Sequence, residues 1–128
     1  MEMIIGGAFQ GKEKLARQIY PGISWIYGKD ASFEDLIKCQ GIIGFQDYIR
    51  HLVEQGEDLT SLASDLIREN PDIVLVSDEV GYGVVPVDRT DRLYREAVGR
   101  VCTQLAAFST RVTRVVCGIG SVIKGQES

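Results

Sequence analysis

The sequence predicts an α/β fold with a mainly parallel sheet flanked by helices. Three observations lead there. Met3-Ile4-Ile5 and Ile73-Val74-Leu75-Val76 are short apolar runs of the kind buried on both faces of a parallel sheet. Segments with helical spacing of apolar residues alternate with such runs. The composition, 45% hydrophobic and 25% charged over 128 residues, is that of one globular domain, here residues 1–128. A 14.1 kDa chain buries roughly two-thirds of its surface on folding, enough for a core without staples.

The elements follow in order. Met3-Ile4-Ile5 is the first strand and ends at Gly6-Gly7. Lys12 to Tyr20 places Leu15, Ala16 and Ile19 on one helical face, and Pro21-Gly22 stops it. Ile23 to Tyr27 reads as a second strand, closed by Gly28. Ser32, with Asp35 three residues on, caps a short helix to Cys39. Gly41 to Phe45 reads as a third strand, with no acid at its end. Asp47 to Gln55 and Leu59 to Arg68 have helical spacing, ended by Gly56 and by Asn70-Pro71. After the Ile73–Val76 strand comes a glycine-rich loop, Glu79 to Pro86. Asp88 then caps a long helix to about Ser109, with Leu93, Ala97, Val101, Leu105 and Phe108 as its core stripe. Val112 to Cys117 is expected to be the last strand, with Cys117 in the core.

Charge and cysteine content narrow the function. The net charge of −4 disfavours binding to a nucleic-acid backbone. The charge is uneven. Thirteen acids lie between Asp30 and Asp88, whereas Arg89 to Arg114 holds six arginines against Asp91 and Glu96. Such a stripe suits a small anionic ligand better than a polymer. Three cysteines far apart in sequence, Cys39, Cys102 and Cys117, predict neither a disulfide framework nor a zinc site and fit a reducing cytoplasm. No apolar run is long enough to span a bilayer. The opening residues lack the pattern of a secretory leader.

The sharpest motif is Gly6-Gly7-Ala8-Phe9-Gln10-Gly11-Lys12-Glu13. It fits Gly-x-x-x-x-Gly-Lys between a predicted strand and a predicted helix, the setting of a phosphate-binding P-loop. Glycines let backbone N–H groups converge on an anion, the helix N-terminus adds partial positive charge, and the lysine adds a full one. Glu13 stands where a Ser or Thr hydroxyl normally helps to hold Mg²⁺. A carboxylate there can take a metal but also repels a triphosphate. A second constellation, Val76-Ser77-Asp78-Glu79-Val80-Gly81-Tyr82-Gly83-Val84-Val85-Pro86, puts two acids at the C-terminal end of a buried strand, where open α/β sheets bind ligands. Either acid can hold Mg²⁺ or orient an attacking hydroxyl. Gly81 and Gly83 suggest positive φ or close approach to a ligand.

The loop from Val76 to Pro86, with Arg92, Tyr94-Arg95-Glu96, Gly99-Arg100-Val101, Leu105-Ala106 and Gly118-Ile119-Gly120 through Ile123-Lys124, resembles the bifunctional adenosylcobinamide kinase / adenosylcobinamide-phosphate guanylyltransferase family of cobalamin biosynthesis. Gly6-Gly7-Ala8 resembles it too. The resemblance implies a P-loop NTPase-like fold and use of ATP or GTP with Mg²⁺. It also implies phosphoryl transfer to the cobinamide hydroxyl, then GMP transfer through a guanylylated histidine, in multimers that are typically trimers. By position, Gly6, Gly7, Ala8, Gly11, Lys12 and Glu13 would surround the phosphates. Glu13, Asp78 and Glu79 are candidate metal ligands, Lys12 and Glu79 candidate catalytic residues, and Arg92 and Arg95 candidate contacts to the anion or to a neighbouring subunit.

The chain also departs from the family pattern. The family loop usually reads Gly-Gly-Ala-Arg-Ser-Gly-Lys-Ser, against Phe9, Gln10 and Glu13 here. The family's Asn-Glu is Asp78-Glu79, and its Asn-Gln after Gly-Arg-Val is Cys102-Thr103. The segment with the guanylylated histidine is absent, and the single histidine, His51, lies in an unrelated helix. Two functions therefore compete. One is a cobinamide kinase without guanylyl transfer. The other is a catalytically degenerate nucleotide- or corrinoid-binding module that acts as a partner or regulatory subunit.

Overall fold

The computed structural model describes residues 1–80 and 88–126, so Gly81 and Gly83 lie outside the described residues. The chain runs β1 (Glu2–Gly6), α1 (Lys12–Ile19), β2 (Trp25–Tyr27), a 3₁₀ turn (Gly28–Asp30), α2 (Phe33–Lys38), β3 (Gly41–Ile43), α3 (Phe45–Glu54), α4 (Leu62–Glu69), β4 (Val74–Asp78), α5 (Arg89–Phe108), β5 (Arg111–Val116) and β6 (Ile119–Lys124). The sheet order is β2-β3-β4-β1-β5-β6. All pairings are parallel except β5 with β6. This is the expected α/β, P-loop NTPase-like fold.

Alternation along the strands divides the core into two layers. Ile4, Ile43, Val76 and Val115 point to one face, where Ala16 of α1 packs on them. Met3, Ile42, Leu75 and Val112 point to the other, covered by α3, α4 and α5 through residues such as Phe45, Leu66, Val101 and Leu105. β1 and β4 are buried on both faces, which is why their sequences are apolar without alternation. The capping box on α2 forms in full: Ser32 Oγ accepts from Asp35 N, and Asp35 accepts from Ser32 N. The Asp88 side chain caps α5 by accepting from Asp91 N.

Several boundaries differ from expectation. β2 begins at Trp25, not Ile23. β3 ends at Ile43, because Gly44 adopts a left-handed φ of 77° and turns the chain into α3. Phe45 is therefore a fully buried helix residue rather than the end of a strand. α4 starts at Leu62, not Leu59, since Asp58 accepts from both Thr60 N and Thr60 Oγ and holds a turn. On α5 the core stripe is Tyr94, Ala97, Val98, Val101 and Leu105, while Leu93 and Phe108 are exposed. Tyr94 takes the inward position, with the Arg50 guanidinium stacked 3.9 Å from its ring centre.

The largest departure is at the C-terminal end. β5 stops at Val116, and β6 pairs back on it, Val116 opposite Ile119. Cys117 (φ 50°) and Gly118 (φ 77°) form the two-residue turn between them, both left-handed as a type I′ hairpin requires. Cys117 is exposed, not in the core. Cys39 and Cys102 are part-buried, and burial pushes each thiol up to about 11. At pH 8 only about one in a thousand of such thiols is ionised. A native-state thiol reagent is therefore expected to modify Cys117 first and Cys39 and Cys102 at least about tenfold more slowly. Peptide mass mapping of partly labelled protein checks this, and equal labelling of all three would refute it.

Two glycines give opposite stability predictions. A Cβ at Gly28 would overlap the Gly44 carbonyl oxygen and press on Tyr48 N, both backbone atoms unable to yield. Gly28→Ala is expected to cost about 2–3 kcal/mol, as overpacking does. Gly99, inside α5, has open space around the same position. Gly99→Ala is expected to stabilise the fold by about 0.5–1 kcal/mol through helix propensity. Thermal melts of the two variants should move in opposite directions.

Candidate functional site

The site is assembled where β1, β3 and β4 end at the same edge of the sheet. Gly6 of β1 lies beside Asp78 of β4 in register, and Glu79 N donates to the Gly6 carbonyl at 2.7 Å. A Cβ at Gly6 would strike the Val115 carbonyl, so only glycine allows β1 and β5 to approach this closely. From Gly6 the chain loops to Gly11, whose left-handed φ of 84° sets the direction of α1. No side chain caps α1, so its first-turn N–H groups and partial positive charge remain available to an anion.

Lys12 is buried within this loop. Its Nζ donates to the Gly7 carbonyl at 2.6 Å and pairs with Asp78 Oδ1 at 2.7 Å. The ammonium is thus held between the loop and the end of β4, the position a phosphate oxygen would share. Gln10 fixes the loop from the other side. Its carbonyl accepts from Gly118 N at 2.7 Å and its Oε1 from Cys117 N at 2.6 Å, so the loop is tied to the β5–β6 turn. Phe9 sits at the tip with φ 60° and is fully exposed, and Ala8 beside it is exposed too.

A cavity of about 460 Å³ opens in front of Lys12. Lys14, Lys29, Tyr27, Gln46, Asp47 and Asp78 contribute to its lining. Glu13 also lines it, but its carboxylate accepts from the Tyr27 hydroxyl at 3.0 Å and pairs with Arg17. The hydroxyl in turn accepts from Arg17, closing a three-membered network. Hydrogen bonding to Tyr27 raises the Arg17 pKa. Gln46 and Asp47 were not anticipated from sequence. Gln46 Oε1 accepts from Asp78 N at 3.0 Å and ties α3 to the end of β4. Asp47, in the first turn of α3, brings an acid into the cavity lining although β3 itself ends without one. The signal was present in Gly44-Phe45-Gln46-Asp47, a glycine turn from strand to helix like the one at Gly11.

The other expected residues divide. Glu79 is not among the residues lining the Lys12 cavity and forms a two-point ion pair with Arg114, at 2.9 and 3.2 Å. Arg95 pairs with Asp91 at 2.9 Å and lines a second cavity with Gly7, Ala8, Glu79 and Arg114. Arg92 is exposed on α5 and lines neither cavity. His51 is exposed in the last turn of α3. Among the described residues no cluster of three or more His, Cys, Asp and Glu side chains converges for a metal ion. Asp78, which pairs with Lys12, and Asp47 and Glu13 are the acids lining the Lys12 cavity. No described helix is long and apolar enough to cross a membrane.

The model of the cobinamide kinase / cobinamide phosphate guanyltransferase family matches residues 36–123. The chain belongs to this family. Two curated relatives are both called bifunctional adenosylcobalamin biosynthesis protein CobU. The chain is 45% identical to the one from Escherichia coli (strain K12) over 67 residues, which cover 52% of this chain and 37% of the relative. It is 50% identical to the one from Salmonella typhimurium (strain LT2) over 52 residues, covering 41% and 29%. The aligned stretch is therefore well under half the length of either relative. The family match starts within α2, so it takes in Asp47, Asp78, Glu79 and α5 but not the loop at Lys12.

Proposed function

We propose that this family member binds ATP or GTP on the Gly6–Lys12 loop and transfers the terminal phosphoryl group to the cobinamide hydroxyl. The observation that carries the reading is the buried Lys12 ammonium, held at the junction of β1 and β4 in front of an uncapped helix N-terminus. A γ-phosphate would exchange for Asp78 and the Gly7 carbonyl as the acceptor of Lys12, while the first-turn N–H groups hold the remaining oxygens. Mg²⁺ is normally held by one or two carboxylates together with the phosphates. Asp78 and Asp47 fit that requirement, and the ion when bound would neutralise charge on the phosphates. Glu13 is a third candidate only if it leaves Tyr27 and Arg17.

In the transfer the hydroxyl oxygen forms a bond to the γ-phosphorus, and the bond from that phosphorus to the β–γ bridging oxygen breaks. The nucleoside diphosphate leaves, and the hydroxyl proton passes to the Glu79 carboxylate. Guanylyl transfer is not part of the proposal, because exposed His51 on α3 is not among the residues lining the loop cavities. A cytoplasmic homo-oligomer, trimeric as in the family, and a single domain over residues 1–128 belong to the same reading.

A second reading has its own support. Glu13 replaces the hydroxyl that helps to hold the metal, which favours binding without turnover, in a partner or regulatory subunit. Calorimetry with ATP and GTP, with and without Mg²⁺, followed by an assay of γ-phosphoryl transfer to cobinamide, separates the two. Micromolar binding with transfer supports the kinase. Binding without transfer selects the second reading, and no binding of either nucleotide removes both.

A further inference from the structure

A second groove shares Asp78 with the Lys12 cavity and is also lined by Glu79. It runs between α5 and the β5–β6 hairpin and encloses about 340 Å³. Its flanks are apolar, with Val98, Cys102 and Ala106 on α5 and Ile123 on β6. Its polar end is the Glu79–Arg114 pair. Ile123 is 58% exposed on an edge strand, a large apolar side chain left open to solvent. Asp78 lines both this groove and the Lys12 cavity, so the two hollows meet at the last residue of β4.

Asp78 and Glu79 are therefore not equivalent. Asp78 is committed to Lys12, on the side of the phosphate loop. Glu79 is committed to Arg114, on the side of the groove. A guanidinium bound through two N–H groups holds a carboxylate in one orientation. Each oxygen of Glu79 keeps a second lone pair, so the paired carboxylate can still accept a hydroxyl proton. An apolar channel leading to such a carboxylate, next to a phosphate site, suits an amphipathic alcohol.

We propose that this groove is the acceptor site, that the hydroxyl-bearing side of cobinamide occupies it along Ile123 and Ala106, and that Arg114 is the positioning residue that aims Glu79 at the hydroxyl. The inference rests on the reading that the chain acts on cobinamide, but it makes a separate prediction. Ile123→Glu adds a charge to the apolar flank of a groove that already ends in two acids, at an exposed position where the fold tolerates polarity.

The test is equilibrium titration of the full chain with cobinamide, and separately with ATP. Ile123→Glu is expected to weaken cobinamide binding at least about tenfold, with the ATP affinity within about twofold of the parent. Arg114→Leu is expected to weaken cobinamide, and Arg114→Lys to restore part of the loss. Unchanged cobinamide affinity in Ile123→Glu, or no cobinamide binding by the parent chain, would overturn the proposal. Cobinamide binding that responds to Ile123 in a protein that binds no ATP would remove the phosphoryl-transfer reading and uphold this site.

Discussion

Lys12→Ala is expected to abolish measurable binding of ATP and GTP, with a loss of at least about 100-fold. A charge-assisted hydrogen bond contributes about 1.5–3 kcal/mol, and every 1.4 kcal/mol is a factor of about ten in affinity. Lys12 is buried, so its ammonium acts with little screening by solvent. The substitution does more than remove a contact. Asp78 loses its partner at 2.7 Å, and its bare carboxylate then faces the incoming phosphates. The Gly7 carbonyl loses its donor as well, so the loop is expected to loosen. Calorimetry measures the affinity, and a thermal melt of the ligand-free variant measures what the ion pair contributes to the fold. Nucleotide binding that survives within about threefold would show that Lys12 serves only to join β1 to β4.

Glu13→Ser is expected to raise nucleotide affinity in the presence of Mg²⁺ by about tenfold and to create or raise phosphoryl transfer. It removes a negative charge from the lining of the phosphate cavity and restores a hydroxyl at the position after the lysine. A tenfold change corresponds to about 1.4 kcal/mol, a modest size for relief of like-charge repulsion near a protein surface. Tyr27 and Arg17 keep each other as partners when Glu13 is lost, so the end of α1 should stay in place. Steady-state kinetics with ATP and cobinamide reads the outcome. A fall in activity would mean that Glu13 leaves Tyr27 and Arg17 to serve as a ligand, and that the chain is not degenerate at this position.

Both variants test residues that are contiguous in sequence, and contiguity is why the loop could be read. Gly6 to Lys12 lies within one strand–turn–helix unit, so local spacing is enough to define it. The central strands were legible for a related reason. Burial on both faces writes itself into Met3-Ile4-Ile5 and Ile73–Val76 as unbroken apolar runs. The caps at Ser32 and Asp88 are equally local, and both form.

What could not be read depends on the order of strands. Glu79 and Arg114 are 35 residues apart and meet only because β1 separates β4 from β5. Tyr27 reaches Glu13 across 14 residues, from the far edge of the sheet. β6 was missed because its exposed face carries Ile119 and Ile123 while Gly120 interrupts its pattern, so neither alternation nor burial marks it. Its turn is Cys117-Gly118 rather than the Asn-Gly that signals a two-residue hairpin. On α5, Ala97, Val101 and Leu105 are buried as expected, whereas Leu93 and Phe108 are exposed and Tyr94 and Val98 take inward places. Nothing local shows that Arg50 of α3 stacks on Tyr94 and draws that face inward.

The tie between Gln10 and the β5–β6 turn also dictates when the loop can take shape. The loop leaves the ribosome well before two of its anchors, the N–H groups of Cys117 and Gly118, the first of which lies 107 residues beyond Gln10. Among the described residues its supporting strand, β1, pairs with β4 and β5. A nascent chain therefore carries an unsupported β1 until residue 78, and a loop tied through Lys12 but lacking its hairpin anchors until residue 118. On the proposed reading, affinity for nucleotide would be acquired last, and a chain stalled or cut before the hairpin would lack these two anchors.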